Sequence, residues 1–345
     1  MHFTRTGRTG RTGPARSLPR RLLAAVALPL ALTAAVSGCS DEAAGDSGDA
    51  GGGGTLRVGV IGSRAQLSGP IGYLDQQGDL LPALEEFGFD SVEVSPFPNG
   101  PDLNQALVGG SLDVASYGDT PALVARGSGL DTRLVALGLV GNDASIVVRD
   151  DGPRSIEELA GEPIAVQTGS YIHRYLLGAL QDADVEPSEI LHIYTTDTEA
   201  PLERGDIAAA AMPQVNAEVF EQRGYRIIDH LAEDHPDYAG TSATVSTGAF
   251  LDDHPGFAAR WQELQAQGVE LARSDFAAYQ DYAVSLSDFP AELVRQTTRE
   301  DQLPDTAFPE RGLELLTGTK EFLVEQDFID EDFDLDDWIV DGDAA

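Results

Sequence analysis

The sequence predicts an α/β protein with two lobes, each a mainly parallel sheet flanked by helices, and a helical addition at the C-terminus. Three observations carry this prediction. Short apolar runs alternate with helical patterns, the alternation occurs in two series, and the chain after Asp252 has helical periodicity. Strands that alternate with helices form parallel sheets covered on both faces. A β-rich segment between the second series and the helical part, Gly240–Phe250, predicts a return to the first lobe.

The two series give the predicted elements in order. The first has strands Leu56–Ile61, Val92–Val94, Leu112–Ala115 and Leu134–Leu139, and helices Pro70–Gln77, Asp102–Val108 and Pro121–Arg126. The second has strands Ser145–Arg149, Pro163–Gln167, Ile190–Tyr194, Ile207–Met212 and Tyr225–Asp229, and helices Ser155–Leu159, Ser170–Gln181, Thr198–Glu203 and Asn216–Gln222. The C-terminal helices are His254–Ala272, Ser274–Leu286, Pro290–Thr297 and Phe308–Glu325.

The predicted lobes are discontinuous in sequence. We assign residues 56–148 and 243–345 to the first lobe and residues 149–242 to the second. The crossovers are expected near Ser145–Arg149 and Ser242–Thr247, and they would act as the hinge of a closing movement.

Residues 1–38 have the composition of a lipoprotein signal peptide. Arginines without any acidic residue come first, the apolar run Leu22–Val36 follows, and Ser37-Gly38 precedes Cys39. This order is typical of an export signal, and the apolar run is too short to span a membrane. The residues before Cys39 are similar to a bacterial lipobox. Arg20-Arg21 leaves both the general and the twin-arginine export routes open.

Cys39 is the one cysteine of the chain, so an internal disulfide is excluded. We predict that it carries a lipid, which would anchor the protein to the outer face of the bacterial cell membrane. Residues 39–55 are rich in Gly, Asp and Ser and are predicted to be a flexible tether. The protein is thus expected to be extracytoplasmic, lipid-anchored and monomeric.

The charge balance excludes nucleic acid as a partner. The chain has 22 basic and 58 acidic residues and a net charge of −36. A phosphate backbone requires a basic surface, which this composition does not supply.

Common signatures of enzymes do not occur in the sequence. Neither a dinucleotide fingerprint, a P-loop nor a Gly-x-Ser-x-Gly elbow occurs. The segment Asp229–Tyr238 groups two histidines with acids, but their spacing favours a solvated acidic loop over a metal site. His173 is equally compatible with a ligand contact and with a surface or hinge position. We predict a binding protein that has no catalytic activity, metal or cofactor.

Two predicted helix starts are candidates for an anion site. Gly118-Asp119-Thr120-Pro121 and Gly169-Ser170-Tyr171 each follow a strand, where open α/β sheets bind ligands. Thr120 is a favourable N-cap and Pro121 suits the first helical position. Each start offers N–H groups and the positive end of a helix dipole. Each alone is better explained by capping; together, in opposite lobes, they predict a clamp for one small anion.

Four segments of the sequence carry a resemblance to a known family. They are NGPDLNQALVGGSLDVASYGDTPALVARG, SIEELAGEPIAVQTGSYIHRYLLGAL, LERGDIAAAA and TGAFLDDHPGFAARW. In these segments the sequence resembles the substrate-binding lipoproteins of ABC importers for aliphatic sulfonates, taurine and nitrate, which have the periplasmic-binding-protein type II fold. The resemblance extends over Leu56–Asp330. The Gly-Asp-Thr-Pro block is specific to the sulfonate branch. Relatives usually have Trp-Asp-Pro after the strand that follows Gly205-Asp206, whereas this chain has Met212-Pro213-Gln214.

The resemblance implies a set of ligand-binding residues. Thr120 and Ser170 would contact the acidic head group, and Gly118, Asp119 and Gly169 would shape the loops. Further candidate cleft positions are Arg64, Gln66, Asn99, Gly100, Tyr117, Tyr171 and Met212. Tyr117 and Tyr171 are also compatible with core packing. Met212 would take the place of the missing tryptophan, and Arg64 is either a cationic contact or a solvent-facing side chain.

We therefore predict the extracytoplasmic solute-binding component of an ABC transporter, which captures a small organic anion and delivers it to a membrane permease. The expected solute is an aliphatic sulfonate or a taurine-like compound. The alternatives are nitrate or a thiamine-precursor pyrimidine in the same transport role. An enzyme or a signalling receptor on the same scaffold is the alternative from another class.

Overall fold

The structure, a computed structural model, describes residues 54–340 and residue 342. The predicted signal peptide, Cys39 and all but the last two residues of the predicted tether lie outside the described residues. Within residues 54–340, no helix is both long and apolar enough to cross a membrane.

The described residues form ten strands and thirteen α-helices. The strands are β1 (Gly54–Ile61), β2 (Phe89–Phe97), β3 (Val114–Gly118), β4 (Thr132–Asn142), β5 (Ala144–Val148), β6 (Pro163–Val166), β7 (Glu189–His192), β8 (Ala209–Pro213), β9 (Arg226–His230) and β10 (Gly240–Thr247). The helices are α1 (Gly69–Gln77), α2 (Leu80–Leu84), α3 (Gly100–Val108), α4 (Asp119–Gly127), α5 (Tyr171–Asp182), α6 (Glu199–Arg204), α7 (Gln214–Gln222), α8 (Leu231–Asp234), α9 (Gly248–Asp253), α10 (Phe257–Ser274), α11 (Phe276–Ser285), α12 (Ala291–Thr297) and α13 (Glu310–Glu325).

The strands form two five-stranded sheets with the same pattern of directions. The first sheet has the order β2-β1-β3-β10-β4 and the second the order β7-β6-β8-β5-β9. In each sheet the first three strands are parallel and the fourth is antiparallel to both of its neighbours. The fourth strand, β10 or β5, is the one that enters from the other lobe. The predicted two-lobe α/β fold is confirmed.

The crossovers lie just before the segments predicted for them. β4 ends at Asn142, and β5 pairs with β8 and β9 of the second sheet. The structure thus places the boundary earlier than the predicted limit at residue 148. All five residues of β5 are buried and the strand is paired on both sides, so it lies inside the second sheet and is not a connection between the lobes. The second crossover precedes Gly240, and Ser242–Thr247 lies within the first sheet.

Both faces of each sheet are buried, as in parallel sheets covered by helices. In β5, Ile146 and Val148 pack into a core with Tyr175 of α5, whereas Val147 packs on the opposite face with Phe220 of α7. This alternation follows from the two-residue period of a strand.

The C-terminal helices complete the first lobe. α10 packs against α1, and it approaches so closely at Gly268 that an added Cβ would overlap the carbonyl of Pro70. β4 is an edge strand, and side-chain amides of the C-terminal part donate to three of its carbonyl groups. The pairs are Gln262 with Val135, Gln265 with Leu137 and Gln302 with Gly141. An exposed strand edge is thereby covered.

Candidate functional site

A cavity of about 750 Å³ lies between the two lobes. Its wall combines the loop between β1 and α1, the ends of β3 and β8, parts of β4 and β10, and residues of the C-terminal helices. The parallel strands β1, β3 and β8 present their carboxyl ends to it, as expected for a ligand site in open α/β sheets.

The loop before α1 forms one end of the cavity. Ser63, Arg64, Gln66 and Ser68 are exposed and belong to the wall. Ser68 is the N-cap residue of α1, but within the described chain its side chain makes no capping hydrogen bond. The start of α1 therefore presents a hydroxyl and the positive end of the helix dipole to the cavity.

The position of this loop is fixed by α11. The hydroxyl of Tyr282 donates to the carbonyl oxygen of Leu67 at 2.6 Å. Gly72 of α1 makes room for that hydroxyl, because a Cβ there would overlap it. The start of α1 is therefore held in place by a buried hydrogen bond from Tyr282 of α11.

Arg64 projects into the same end of the cavity. Its guanidinium donates to the carbonyl oxygen of Ser285 at 3.1 Å and forms an ion pair with Asp288. Both partners lie at the C-terminal end of α11 or just after it. Arg64 and Gln66, predicted from the sequence as cleft residues, do lie in the cavity wall.

A second arginine, Arg299, lies in the cavity wall next to the first crossover. It binds both carboxylate oxygens of Asp301, at 2.9 and 2.7 Å, and its Nη1 lies 3.4 Å from Asp143 Oδ2. The Asp301 hydrogen bond raises the pKa of Arg299 above its ordinary value. Burial raises the pKa of Asp143, although N–H groups of Ala232 and Ala144 and the charge of Arg299 oppose the shift.

Aromatic side chains line much of the remaining wall. Tyr279 and Tyr282 come from α11, Phe289 from the segment between α11 and α12, and Tyr117 and Tyr171 from β3 and α5. The last two are predicted site residues, and their hydroxyls are used internally: Tyr117 donates to Asn104 and Tyr171 to the carbonyl of Asp143.

A buried acceptor lies in the wall beside these rings. Gln265 donates to the Leu137 carbonyl through Nε2, while its Oε1 has no hydrogen-bond partner among the described residues. Because the Leu137 carbonyl requires a donor, the orientation of this amide is fixed.

The second lobe also contributes a helix start that was not predicted. Pro213, Gln214 and Val215, at the start of α7, line the cavity after β8. Gln214 accepts a hydrogen bond from Ser145 and donates to Glu218 at 2.6 Å. The starts of α1 and α7 therefore border the cavity from opposite lobes, and Tyr171, the first residue of α5, lies in the wall as well.

The predicted start at Gly118-Asp119-Thr120-Pro121 is closed by the protein itself. α4 begins at Asp119 with Gly118 as its N-cap residue, so the predicted N-cap role of Thr120 is wrong. Asp119 is fully buried and accepts hydrogen bonds from the N–H and hydroxyl groups of both Thr120 and Thr241, at 2.6–3.0 Å. Burial raises the pKa of Asp119, and these hydrogen bonds oppose the shift. The anion at this helix start is the side chain of Asp119.

The other predicted start lies near the C-terminal segment. Ser170 caps α5 by accepting from the N–H of His173 at 3.3 Å, and its hydroxyl donates to the Gln167 carbonyl. Gly169 has a positive φ of 71° and lies against Phe328. Burial, with a smaller contribution from His192, lowers the pKa of His173 to about 4, which keeps this imidazole neutral near pH 7.

The remaining predicted site residues, Asn99, Gly100 and Met212, contact other parts of the protein and not the cavity. Asn99 caps α3 by accepting from the N–H of Asp102 at 2.9 Å. Gly100 permits close contact with Pro121, and Met212 is fully buried in the core of the second lobe. Of the predicted residues, the cavity wall contains Arg64, Gln66, Tyr117 and Tyr171 but, in the range the structure describes, not Asn99, Gly100, Gly118, Asp119, Thr120, Gly169, Ser170 or Met212.

Some of the missed wall residues had a signal in the sequence. Ser68-Gly69-Pro70 combines small residues with a first-turn proline, as the start of α4 does, and Pro213-Gln214 lies at the end of a predicted strand. The C-terminal residues, such as Arg299 and Tyr279, had none, because helical periodicity does not identify what a helix faces.

The acidic loop weighed as a metal site forms a hydrogen-bonded network. Asp229 accepts from the hydroxyl of Tyr175, and His235 lies 3.1 Å from Asp182 and 3.4 Å from Asp229. Across residues 54–340, no group of His, Cys, Asp and Glu has an arrangement suited to a metal ion.

Comparison with protein families gives a match over residues 88–275, more than half of the chain, to the family described as NMT1/THI5 like. The chain belongs to this family.

Two relatives from Escherichia coli (strain K12) match the chain in part. One is named as an aliphatic sulfonates-binding protein and is 33% identical over 138 residues, which is 38% of this chain and 43% of the relative. The other, the taurine-binding periplasmic protein, is 30% identical over 37% of this chain and 41% of the relative. The chain thus spans about two fifths of the length of these relatives.

Solved structures match the fold over most of the chain. The periplasmic aliphatic sulphonate binding protein SsuA from Escherichia coli has a TM-score of 0.66 at 22% identity, covering 83% of this chain and 97% of SsuA. The desulfurization enzyme DSZB also has a TM-score of 0.66, at 18% identity, covering 83% of this chain and 96% of the enzyme. The predicted family and fold are confirmed, and the same fold occurs in binding proteins and in an enzyme.

Proposed function

We propose that the chain is the extracytoplasmic solute-binding component of an ABC importer, and that it captures a small organic anion of the alkanesulfonate type between its lobes. The observation that carries the proposal is the interlobe cavity, whose wall joins Arg64 to the uncapped start of α1. Guanidinium and helix-start N–H groups are typical partners of an oxoanion. The two relatives named for sulfonates and taurine support this class of solute.

The cavity also suits the organic part of such a solute. Ile71, Leu139 and Leu286 join the aromatic side chains in the wall, so a hydrocarbon group would find apolar surface close to the charged end. A pocket with an apolar wall and a few polar groups is the usual form of a small-molecule site.

A thiamine-precursor pyrimidine is the second candidate. The supporting observation is the aromatic content of the wall, where Tyr279, Tyr282 and Phe289 join the two tyrosines known from the sequence. Aromatic faces favour flat, heteroaromatic solutes.

A thermal-shift experiment with the purified chain tests both candidates. Alkanesulfonates from methanesulfonate to octanesulfonate, taurine, nitrate, sulfate and an aminopyrimidine are added at increasing concentration. A ligand at 100 times its Kd stabilises the folded state by about 2.7 kcal/mol, so the melting temperature rises with concentration. Stabilisation by alkanesulfonates is expected. Stabilisation by the pyrimidine alone contradicts the anion, and no stabilisation by any compound contradicts solute binding.

We further propose that the solute leaves unchanged and that the chain works without a catalytic step. The arginines and aspartates of the wall are each bound by protein groups, an arrangement suited to recognition. Incubation with each stabilising compound, followed by mass spectrometry of the compound, checks this. Turnover of any of them would favour the enzyme alternative.

Lipid anchoring at Cys39, a monomeric state and delivery to a membrane permease belong to the same proposal. Metabolic labelling with a fatty acid is expected to mark the full chain and not a Cys39→Ser variant. A labelled Cys39→Ser chain would contradict the anchor. Light scattering of the purified chain measures the oligomeric state, and a dimer would contradict the proposed monomer.

A further inference from the structure

The cavity wall contains two arginines, and each is already bound by a carboxylate of the protein. Arg299 is bound by both oxygens of Asp301 and lies 3.4 Å from Asp143. In the described chain, Arg64 has one carboxylate partner, Asp288. Carboxylates of the protein therefore hold the guanidinium of Arg299 more strongly than that of Arg64.

Charge in the wall is balanced. Among the described residues, the charged side chains of the wall are Arg64, Arg299, Asp143 and Asp288. A monovalent anion that enters meets positive groups whose charge is already compensated, in a protein whose net charge is −36. Binding of the anion to a guanidinium must therefore compete with a carboxylate of the protein.

Arg64 is the arginine whose partner is readily replaced. The side chain of Asp288 is 82% exposed, in the short segment between α11 and α12. Exposed ion pairs contribute little free energy, because water solvates each charge well when the pair separates. Release of Asp288 leaves Arg64 oriented by the Ser285 carbonyl and adjacent to the start of α1.

We propose that Asp288 is an internal counter-ion of Arg64 and that the anionic group of the solute replaces it on binding. Asp288 then acts as a competitor that lowers the affinity for anions and leaves the affinity for neutral solutes unchanged. This inference rests on the proposed function, since it requires an anionic solute.

The chain offers a matched control for this exchange. Asp281 of α11 forms an exposed ion pair with Arg295 of α12 at 2.7 Å, and neither residue belongs to the cavity wall. Asp281→Asn and Asp288→Asn remove the same charge from the same part of the molecule. Only the second substitution frees Arg64.

Isothermal titration calorimetry tests the exchange. The probe is the alkanesulfonate that binds the parent chain most tightly, and the titration is done at low and at high salt. Asp288→Asn is expected to lower the Kd about two- to fivefold at low salt, with a smaller gain at high salt. Asp281→Asn is expected to match the parent. In an Arg64→Gln background, Asp288→Asn is expected to give no gain, because the group that it frees is missing.

The other outcomes separate this inference from the proposed function. If Asp288→Asn and the parent bind the sulfonate equally, the exchange is wrong and anion binding stands. An equal gain in the Arg64→Gln background also overturns it, since the effect would then be the loss of a negative charge in general. If no alkanesulfonate binds any of the chains, the proposed function fails and the exchange fails with it.

Discussion

Two helices of the first lobe, α1 and α4, begin with similar sequences, but in the part of the chain that the structure describes only the start of α4 is occupied by a side chain of the protein. The starts of α1 and α4 each combine small residues with a proline in the first turn. At α4 the protein supplies its own anion, the buried carboxylate of Asp119. At α1 the N-cap Ser68 and the neighbouring Arg64 face a cavity. A helix-start motif therefore predicts a site for negative charge, and the tertiary partners decide whether that charge belongs to the protein or to a ligand.

Asp119→Ala should give the largest effect and should act on stability. It removes the acceptor of four hydrogen bonds and leaves the buried N–H groups of Thr120 and Thr241 without a partner. We expect a loss of about 3 kcal/mol or more in the free energy of unfolding, measured by denaturant titration. Asp288→Ala, at the open start, is the control and should change this free energy by less than about 0.5 kcal/mol. Equal losses of unfolding free energy in the two variants would contradict the difference proposed between the starts of α4 and α1.

Two glycine substitutions test how closely α3 packs against the start of α4. Gly100→Ala places a Cβ against Pro121 of α4 and should destabilise the fold by about 1–3 kcal/mol. Gly118→Ala is the matched control, because the nearest contact of the added Cβ would be Pro121 Cδ at 3.8 Å and the φ of −70° suits alanine. Thermal unfolding of both variants measures the difference. A stable Gly100→Ala protein would mean that α3 and α4 pack less closely than described.

Arg64→Gln should act on solute affinity and not on stability. Hydrogen bonds to a charged group contribute about 1.5–3 kcal/mol, so we expect the Kd for an alkanesulfonate to rise about tenfold or more. Arg64 is exposed and its ion pair with Asp288 lies at the surface, so the unfolding free energy should stay within about 0.5 kcal/mol of the parent. Calorimetry and denaturant titration give the two quantities. Unchanged affinity would place the anion elsewhere in the cavity.

Substitutions of two serines, Ser170 and Ser68, should give the smallest effects, one on stability and the other on solute affinity. Ser170→Ala removes the cap of α5 and should cost about 1 kcal/mol of stability with unchanged affinity. Ser68→Ala removes a hydroxyl that lines the cavity without capping α1, so stability should be unchanged and affinity should fall by less than in Arg64→Gln. The same calorimetric and denaturation measurements apply. A fall in affinity with Ser170→Ala would restore the predicted role of the α5 start.

The fold was predictable because it depends on local periodicity. Alternating strands and helices in two series gave the two lobes, and the apolar residues of β5 identified a strand. The sheet to which β5 belongs was not predictable, since four apolar residues and a serine do not indicate which strands they pair with. The boundary was therefore expected later in the chain than it occurs.

The site was predictable only in part, because it is assembled over long sequence separations. Arg64, Gln66, Tyr117 and Tyr171 lie in the wall, as the family resemblance implied. The use of Asp119 depends on Thr241, 122 residues away, which no local pattern reveals. The residues that α11 and α12 contribute to the cavity wall likewise depend on how the C-terminal helices pack on the first lobe, which no local pattern reveals.

The position of β10 has a consequence for the order in which the chain can fold during synthesis. The five strands of the second sheet are consecutive, from Ala144 to His230, so that sheet is complete as soon as this segment has emerged. The first sheet lacks its fourth strand until Gly240–Thr247 is made, which leaves β3 and β4 without their shared neighbour. The lobe that the ribosome begins first is therefore finished last. In a chain that stalls before Gly240, β3 and β4 have unpaired strand edges, and such edges are sites of aggregation.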